Sequence, residues 1–300
     1  MNGASWSQGV LRWLAPEAPA RRLALVRIAV LSFACIWLLA MAPDLLVRAR
    51  LSPDRFVPVG LAVWTGPVAP ALVTTAWVAT LGLGLLAAAG IGYRALAPAF
   101  ALGLTWLLSY RNSWGHMSHA EHLLVLQVAI VALAPAADAL RLRGRRPEPA
   151  PPDARYGWPL RLILLVTIST YVIAGLAKLR TGGLGWLAGD ALRLHVAHEV
   201  LRTSLVGASG GTVARWLLPH AWVFGAMAVA TVVIELGAVL ALRDGWPRYG
   251  WILAAWCMHL GIWAVMGIGF PYPISGVAWV GMLEVERGLD WARRRRRAPS

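Results

Sequence analysis

Ionisable residues inside or beside apolar runs are the first candidates for chemistry, because charge is costly in such surroundings. Lys178 follows the apolar run 162–177. One interpretation is that its amine extends toward lipid headgroups, as long basic side chains at helix ends commonly do. The other is that burial favours the neutral amine, which could then act as a general base. Both interpretations stay open on residue type and position alone.

Two further ionisable residues, Glu235 and His259, lie deep in separate apolar runs. A rise of about 1.5 Å per residue puts them at comparable depth, so we expect a buried hydrogen-bonded pair. Such a pair either holds helices together or relays protons. Arg27, near the start of the first apolar run, is expected to extend toward headgroups or to pair.

Histidines recur at a spacing of three residues in two places, which puts them near one face of a helix. The two groups are His116, His119 and His122, and His195 and His198. A metal site needs three or four converging ligands, and no set of cysteines or carboxylates completes one here. We therefore expect no metal. Hydrogen bonding to headgroups or to neighbouring helices is the alternative use of these side chains.

Membrane-spanning helices are the elements that would position these residues. The chain of 300 residues is 58% hydrophobic and only 14% charged, with a mean hydropathy of +0.61. A crossing needs about 20 mainly apolar residues. The apolar runs are continuous rather than alternating, which predicts an all-α, polytopic transmembrane bundle. Eight spans are predicted, at 23–42, 69–89, 95–110, 119–137, 160–179, 221–242, 249–269 and 272–287.

The distribution of arginines predicts the orientation of a single transmembrane domain, 1–300. Basic residues precede the first span, so the N-terminus is expected in the cytoplasm, and after eight crossings the C-terminus is expected there too. The expected location is the bacterial inner membrane. A proline-rich cytoplasmic linker is predicted near 141–161 and a basic cytoplasmic tail at 287–300. The extracytoplasmic loop near 180–220 would carry a surface helix at 188–205. Lys178 and the two groups of histidines at 116–122 and 195–198 would then lie on the extracytoplasmic side.

A net charge of +14 raises the question of nucleic acid. The arginines lie mainly in short segments between apolar runs, where they orient a chain in the bilayer. The closing run 293–297 is most simply an anchor on anionic lipid. We therefore expect the lipid bilayer as a partner, and no nucleic acid.

Five stretches carry a resemblance to a known family. They are YVIAGLAKL at 171–179, HMSHAEHLLVL at 116–126, LAPAADALRL at 133–142, IELGAVLAL at 234–242 and HLGIWAVMGIGFPYPISG at 259–276. They resemble stretches of the HTTM (horizontally transferred transmembrane) family, which includes the vitamin K-dependent γ-carboxylases, and they follow one another along the chain in the same order as in that family. In those enzymes the lysine that corresponds to the one in YVIAGLAKL deprotonates reduced vitamin K.

The resemblance implies that Lys178 is the base acting on reduced vitamin K or a menaquinol-like quinol, with the active side extracytoplasmic. The expected catalytic residues are Lys178, His119, His122, Glu235 and His259, and the expected quinol-binding residues are Tyr171, Trp186 and Trp263. Ala177 stands where the animal enzymes carry a second lysine. The carboxylases also carry a long extracytoplasmic domain after the membrane region, whereas this chain ends at Ser300, so peptide carboxylation stays open.

A second hypothesis belongs to a different functional class. The chain would be a non-enzymatic membrane factor that matures, or interacts with, an exported peptide or protein. The enzyme hypothesis predicts a pocket open to the outer leaflet, with Lys178 pointing into the protein. The partner hypothesis predicts that Lys178 points toward headgroups and that the protein has a large exposed groove instead. The direction of this side chain therefore separates the two.

Overall fold

Helices make up nearly all the regular structure of the chain. The computed structural model describes residues 3–115, 117–142, 151–205 and 212–288. Among these residues it contains no strand, only an isolated bridge between Ala18 and Asp153. The α-helices are α1 (Gly3–Leu14), α2 (Ala20–Ala40), α3 (Ala42–Arg48), α4 (Pro70–Ala88), α5 (Tyr93–Asn112), α6 (His122–Leu133), α7 (Ala154–Gly182), α8 (Asp190–Leu205), α9 (Thr212–Leu217), α10 (Ala221–Leu236), α11 (Trp246–Met266) and α12 (Pro271–Ile274).

Short 3₁₀ helices lie between the α-helices, at Pro53–Arg55, Gly60–Trp64, Gly183–Trp186, Gly237–Leu242 and Val277–Met282. Helix ends follow local residue chemistry. Helices α4 and α11 have a proline in their first turn. Proline is tolerated there because N–H groups in the first turn have no acceptor within the helix, so the N–H that proline lacks costs no hydrogen bond. Gly267 closes α11 at a φ of 68°, a left-handed conformation that glycine adopts without a Cβ clash.

Five helical segments in the described part of the chain are long and apolar enough to cross a membrane. They are Ala20–Ala40, Pro70–Ala88, Ala154–Trp186, Ala221–Leu242 and Trp246–Met266. Each coincides with a predicted span. The chain is thus an all-helical protein with the helices of a membrane protein.

Two of the other three predicted spans differ from the structure. Segment 95–110 lies within α5, but the helix at 119–137 is shorter than predicted and covers only His122–Leu133. The predicted span 272–287 is not one continuous helix, because α12 ends at Ile274 and is followed by a 3₁₀ helix at Val277–Met282. The linker predicted at 141–161 is also too long, since α7 begins at Ala154 and contains Pro159 near its start.

The described chain divides into two compact units. The first comprises Met1–Ile163 and Val277–Ser300, and the second comprises Leu164–Gly276. In the first unit α2 packs against α4, α6 and the last 3₁₀ helix. Gln127 of α6 is buried and donates a hydrogen bond to the carbonyl of Ala278, 3.1 Å away.

Arg27 is fully buried in the first unit. Its guanidinium donates hydrogen bonds to the carbonyls of Ala136 at 2.8 Å, Ala139 at 3.3 Å and Leu140 at 2.5 Å. Arg27 therefore does not extend toward headgroups, and it pairs instead with backbone carbonyls just beyond α6.

In the second unit, α8 packs against α9, α10 and α11. Its core contains Val196, Ala214, Phe224 and Val265. The prediction of a helix at 188–205 is confirmed by α8.

Candidate functional site

The second unit contains an ion pair between Lys178 of α7 and Glu235 of α10. Lys178 Nζ donates a hydrogen bond to Glu235 Oε1 at 2.6 Å. The side chains are 24% and 7% exposed, respectively. The amine therefore points toward a carboxylate on a neighbouring helix. Trp186, in the 3₁₀ helix after α7, places its ring centroid 5.9 Å from Nζ, within the range of a cation–π contact.

Gly175 allows α7 and α10 to approach each other next to this ion pair. A Cβ at position 175 would lie 3.1 Å from Glu235 Cβ and 3.0 Å from a methyl carbon of Leu236. Residues 171, 175 and 178 are separated by four and three positions, so they lie along one face of α7. Glycine at the middle position keeps Lys178 within reach of Glu235.

A second polar contact joins α7 to α11. The hydroxyl of Tyr171 and Nε2 of His259 are 2.6 Å apart and share a buried hydrogen bond. Trp251 of α11 packs edge-on against Tyr171, with ring centroids 5.1 Å apart. Phe270 lies against His259 at 5.0 Å. Tyr171 and Lys178 are two helical turns apart, so the two contacts are separated by about 10 Å along α7.

Helix α10 is also hydrogen-bonded to α11, and it changes from an α-helix to a 3₁₀ helix just after Glu235. The indole N–H of Trp251 donates to the carbonyl of Ile234 at 2.9 Å. The α-helix then ends at Leu236 and continues as a 3₁₀ helix over Gly237–Leu242. Such changes inside a long helix are common at functional sites. Helices α7, α10 and α11 are thus joined by three polar contacts, which we call the polar cluster: Lys178–Glu235, Tyr171–His259 and Trp251–Ile234.

Two buried polar atoms of the polar cluster lack a hydrogen-bond partner among the described residues. They are Glu235 Oε2 and His259 Nδ1. Buried polar atoms are usually satisfied, since an unmet hydrogen bond costs about 1–3 kcal/mol. A molecule bearing hydroxyl groups could supply partners to both atoms.

The expected pairing of Glu235 with His259 is wrong. Glu235 and His259 do not form the predicted pair, because Glu235 bonds to Lys178 and His259 bonds to Tyr171. Trp263 is 58% exposed on α11, and its role in quinol binding stays a prediction. Comparable depth in two helices does not determine which of their faces meet. The rotation of each helix about its own axis determines which side chains become partners.

His119 and His122 belong to the first unit, whereas Lys178 belongs to the second. Both histidines are exposed near the start of α6, and His116 lies outside the described residues. The buried residue there is Glu121, which accepts hydrogen bonds from Arg111 at 3.0 Å and from Ser118 at 2.7 Å. Sequence reasoning missed this role of Glu121.

Arg111 also bonds to Asp44, at 2.7 Å, and so links α3, α5 and the segment before α6. Partial burial raises the pKa of Asp44, but hydrogen bonds from Arg111 and Arg48 outweigh it and hold that pKa below its usual value. The arrangement is a structural ion-pair network. Within the described ranges, no group of three or more His, Cys, Asp or Glu residues could hold a metal ion.

Composition contains a signal for Lys178 that sequence reasoning missed. Of the 28 basic residues in the chain, Lys178 is the one lysine, and all the others are arginines. Arginine would serve equally well as a cation near headgroups, and it binds carboxylates well. Lysine differs in that its amine can lose its proton at accessible pH, whereas the guanidinium cannot. The choice of residue at 178 therefore favours proton chemistry.

Comparison with known proteins gives no assignment. No protein-family model, curated protein or solved structure matches the chain.

Proposed function

We propose that the chain is a membrane-embedded enzyme, similar to the vitamin K-dependent γ-carboxylases, in which Lys178 acts as a general base on a lipid quinol. The observation that carries this proposal is that the single lysine of the chain bonds to a buried carboxylate between apolar helices. A residue that served only as a positive charge would be replaceable by arginine. The family resemblance of segment 171–179 points to the same residue.

The residues of the polar cluster fit a quinol. One hydroxyl group would lie between Lys178 Nζ, which takes its proton, and Glu235 Oε2, and the other would bond to His259 Nδ1. Glu235 Oε2 and His259 Nδ1 are the two buried atoms without partners among the described residues. Aromatic rings of Tyr171 and Trp186 lie beside the two polar contacts and offer surfaces for a flat ring. When bound, a quinol supplies a weakly acidic hydroxyl and two electrons for reaction with oxygen.

Lys178 must be neutral to accept a proton, and Glu235 provides the means. At a donor–acceptor distance of 2.6 Å, the ammonium proton can move to Oε1, leaving an amine and a carboxylic acid. The amine then takes the hydroxyl proton, and Glu235 keeps the proton that it received.

The contact between Tyr171 and His259 has a positioning role in this scheme. It lies about two turns along α7 from Lys178. Its hydrogen bond fixes the imidazole, so that Nδ1 presents a single donor or acceptor to a ligand. Tyr171 and His259 would thereby orient the quinol.

We further propose that the chain crosses the bacterial inner membrane eight times, with both termini in the cytoplasm. The five long apolar helices provide five of them. Helix α5, helix α6 with its flanking residues, and segment 272–287 would provide the other three, the last as short helices on either side of the break at Gly276. Arginine-rich segments between the helices support this orientation.

Turnover of a reduced naphthoquinone by the purified full chain, in detergent and in the presence of oxygen, tests the assignment. We expect Lys178→Ala and Lys178→Arg both to lower the rate by about 100-fold or more, since neither side chain is a base at neutral pH. Arg180→Ala, which removes an exposed charge two residues away, should leave the rate within about twofold. A Lys178→Arg variant as active as the parent protein would contradict the proposal.

Absence of turnover by the parent protein would favour the second hypothesis, a non-enzymatic maturation or interaction factor for an exported peptide or protein. In that case the Lys178–Glu235 contact would only hold α7 against α10. The Lys178→Arg variant would then keep the stability of the parent protein, because arginine also bonds to carboxylates.

A further inference from the structure

Helix α1 has an apolar side that is exposed in the described structure. Its second half contains four large apolar side chains, all of them exposed: Val10, Leu11, Trp13 and Leu14. Spacings of three and four residues place Val10, Trp13 and Leu14 on one side of the helix, with Leu11 at its edge. Leu11 is 64% exposed. The described part of the chain thus leaves this side of α1 largely uncovered.

Polar residues occupy the opposite side of α1. Gln8 and Arg12 lie two positions before Val10 and Leu14, which corresponds to a rotation of about 200° around the helix axis. Both polar side chains are exposed as well. A helix with tryptophan and leucine on one side and arginine on the other is typical of helices that lie in the plane of a membrane surface.

The segment between α1 and α2 is held against the beginning of α7. Ala18 and Asp153 exchange backbone hydrogen bonds of 3.2 and 3.0 Å, which place the first residues of α2 beside the first residues of α7. Gly157 makes room for this segment, because a Cβ there would lie 1.5 Å from the carbonyl oxygen of Pro16. Both α2 and α7 are long and apolar enough to cross a membrane. Helix α1 is therefore attached at the level where two candidate spans begin.

A side-chain contact gives the depth of α1 more closely. The guanidinium carbon of Arg161 lies 4.8 Å from the ring centroid of Trp13. Arg161 is seven residues beyond the start of α7 at Ala154, about 10 Å along the helix axis. It directly precedes the apolar run 162–177. Trp13 thus lies alongside the first turns of α7, where the polar beginning of that helix meets its apolar part, and this is the depth at which tryptophan is enriched in membrane proteins.

We propose that α1 is an interfacial helix, which binds the lipid leaflet in which α2 and α7 begin. Val10, Trp13 and Leu14 would insert among the upper parts of the acyl chains, and Arg12 would extend toward the headgroup phosphates. Lipid surrounds the spans at this depth, so acyl chains reach the apolar side of α1 without any further protein partner. The proposal does not depend on the quinol chemistry, whose residues lie in the other unit.

Spin labels on the full chain, reconstituted in vesicles of phosphatidylethanolamine and phosphatidylglycerol, test the proposal. Single cysteines are introduced in a Cys257→Ser background as Val10→Cys and Leu14→Cys on the apolar side. Gln8→Cys and Arg12→Cys on the polar side are the matched controls. All four positions are exposed, so these substitutions should leave the fold intact. Collision rates with oxygen, which concentrates in lipid, and with a water-soluble nickel chelate report the depth of each label.

We expect the ratio of oxygen to nickel collisions to be about threefold or more higher at positions 10 and 14 than at positions 8 and 12. Equal ratios at all four positions would overturn the proposal. Low collision rates with both reagents at positions 10 and 14 would also overturn it, because they would show that a second copy of the chain or another protein covers the apolar side.

A second pair of variants tests whether the apolar side holds α1 in the lipid. In the protein labelled at position 10, Leu14→Asp should lower the collision ratio toward the value measured at position 8, since a carboxylate on the apolar side opposes insertion. Gln8→Asp adds the same charge on the polar side and should leave the ratio within about twofold of its starting value. Equal effects of the two aspartates would contradict the assignment of the two sides.

Discussion

At the scale of single residues, Lys178 and Glu235 depend on each other. A carboxylate that is only 7% exposed on an apolar helix needs a cation or a proton, and the ammonium 2.6 Å away provides it. Removing one partner of a buried ion pair is costly, whereas replacing both by apolar residues of similar size is often neutral. The pair therefore adds little net stability while constraining which residues can occupy each position.

We expect Lys178→Met to destabilise the protein by about 2 kcal/mol or more, because it leaves the Glu235 carboxylate without its cation. The double variant Lys178→Met/Glu235→Leu should recover most of that loss. Thermal unfolding in detergent of the parent, the two single variants and the double variant measures the coupling. Additive losses would show that the two side chains do not interact.

Asp44 makes a pH-dependent contribution to stability. Its pKa in the folded protein is lowered by Arg111 and Arg48 against the opposing effect of burial. A lowered folded pKa means that the contribution is fully present above the unfolded value of about 4 and is lost as the pH falls through the folded pKa. The difference in unfolding temperature between parent and Asp44→Asn should therefore be constant from pH 5 to 7 and shrink below pH 4. A difference that grows on acidification would contradict this assignment.

The residue types of the polar cluster were predictable from the sequence, but its contacts were not. Lys178, Glu235 and His259 stand out because ionisable groups are rare in apolar runs. Their partners depend on the orientation of α7, α10 and α11 about their own axes. That orientation cannot be predicted from an apolar run that lacks a distinct polar face. Tyr171 could therefore be named as a candidate, but not as the partner of His259.

At the scale of elements, the close approach of α7 and α10 depends on Gly175. Gly175→Val would place its Cβ within about 3 Å of Glu235 and Leu236 and add two methyl groups at the contact. Overpacking of this kind costs about 1–3 kcal/mol. We expect a lower unfolding temperature and, under the proposed function, a lower rate of quinol turnover.

Gly261→Val is the matched control, because a Cβ at Gly261 of α11 would meet nothing within 4 Å. It introduces the same β-branched side chain into a helix of the same unit. Its unfolding temperature should stay close to that of the parent protein. Equal destabilisation by the two variants would mean that the cost comes from the valine and not from the approach of α7 to α10.

Element prediction succeeded where apolar runs are uninterrupted and failed where turn residues occur. The five long apolar helices match predicted spans. The predicted span 272–287 contains Pro273 and Gly276, and Gly276 adopts a φ of 82° that ends helical geometry there. The high hydropathy of 272–287 led to its prediction as a span, although proline and glycine are each a strong signal for a break in a helix.

At the scale of the whole molecule, the number of crossings decides where the termini lie. Eight crossings put both on one side, whereas the five long apolar helices alone would put them on opposite sides. Cysteines introduced as Gln8→Cys and Arg287→Cys, in a Cys257→Ser background, can be probed with a membrane-impermeant thiol reagent. We expect neither to react in intact cells and both to react after lysis. Reaction of residue 287 in intact cells would contradict the proposed topology.

The single lysine of the chain has a practical consequence for spectroscopy. Isotopic enrichment with [ζ-¹⁵N]lysine would place one nuclear label in the whole polypeptide, with no assignment problem. Ammonium and amine nitrogens resonate at different frequencies, so titration of that one signal would follow the charge of the side chain in its native bilayer. The same spectrum, recorded with and without an added lipid-soluble ligand, would register binding next to it without any chemical turnover.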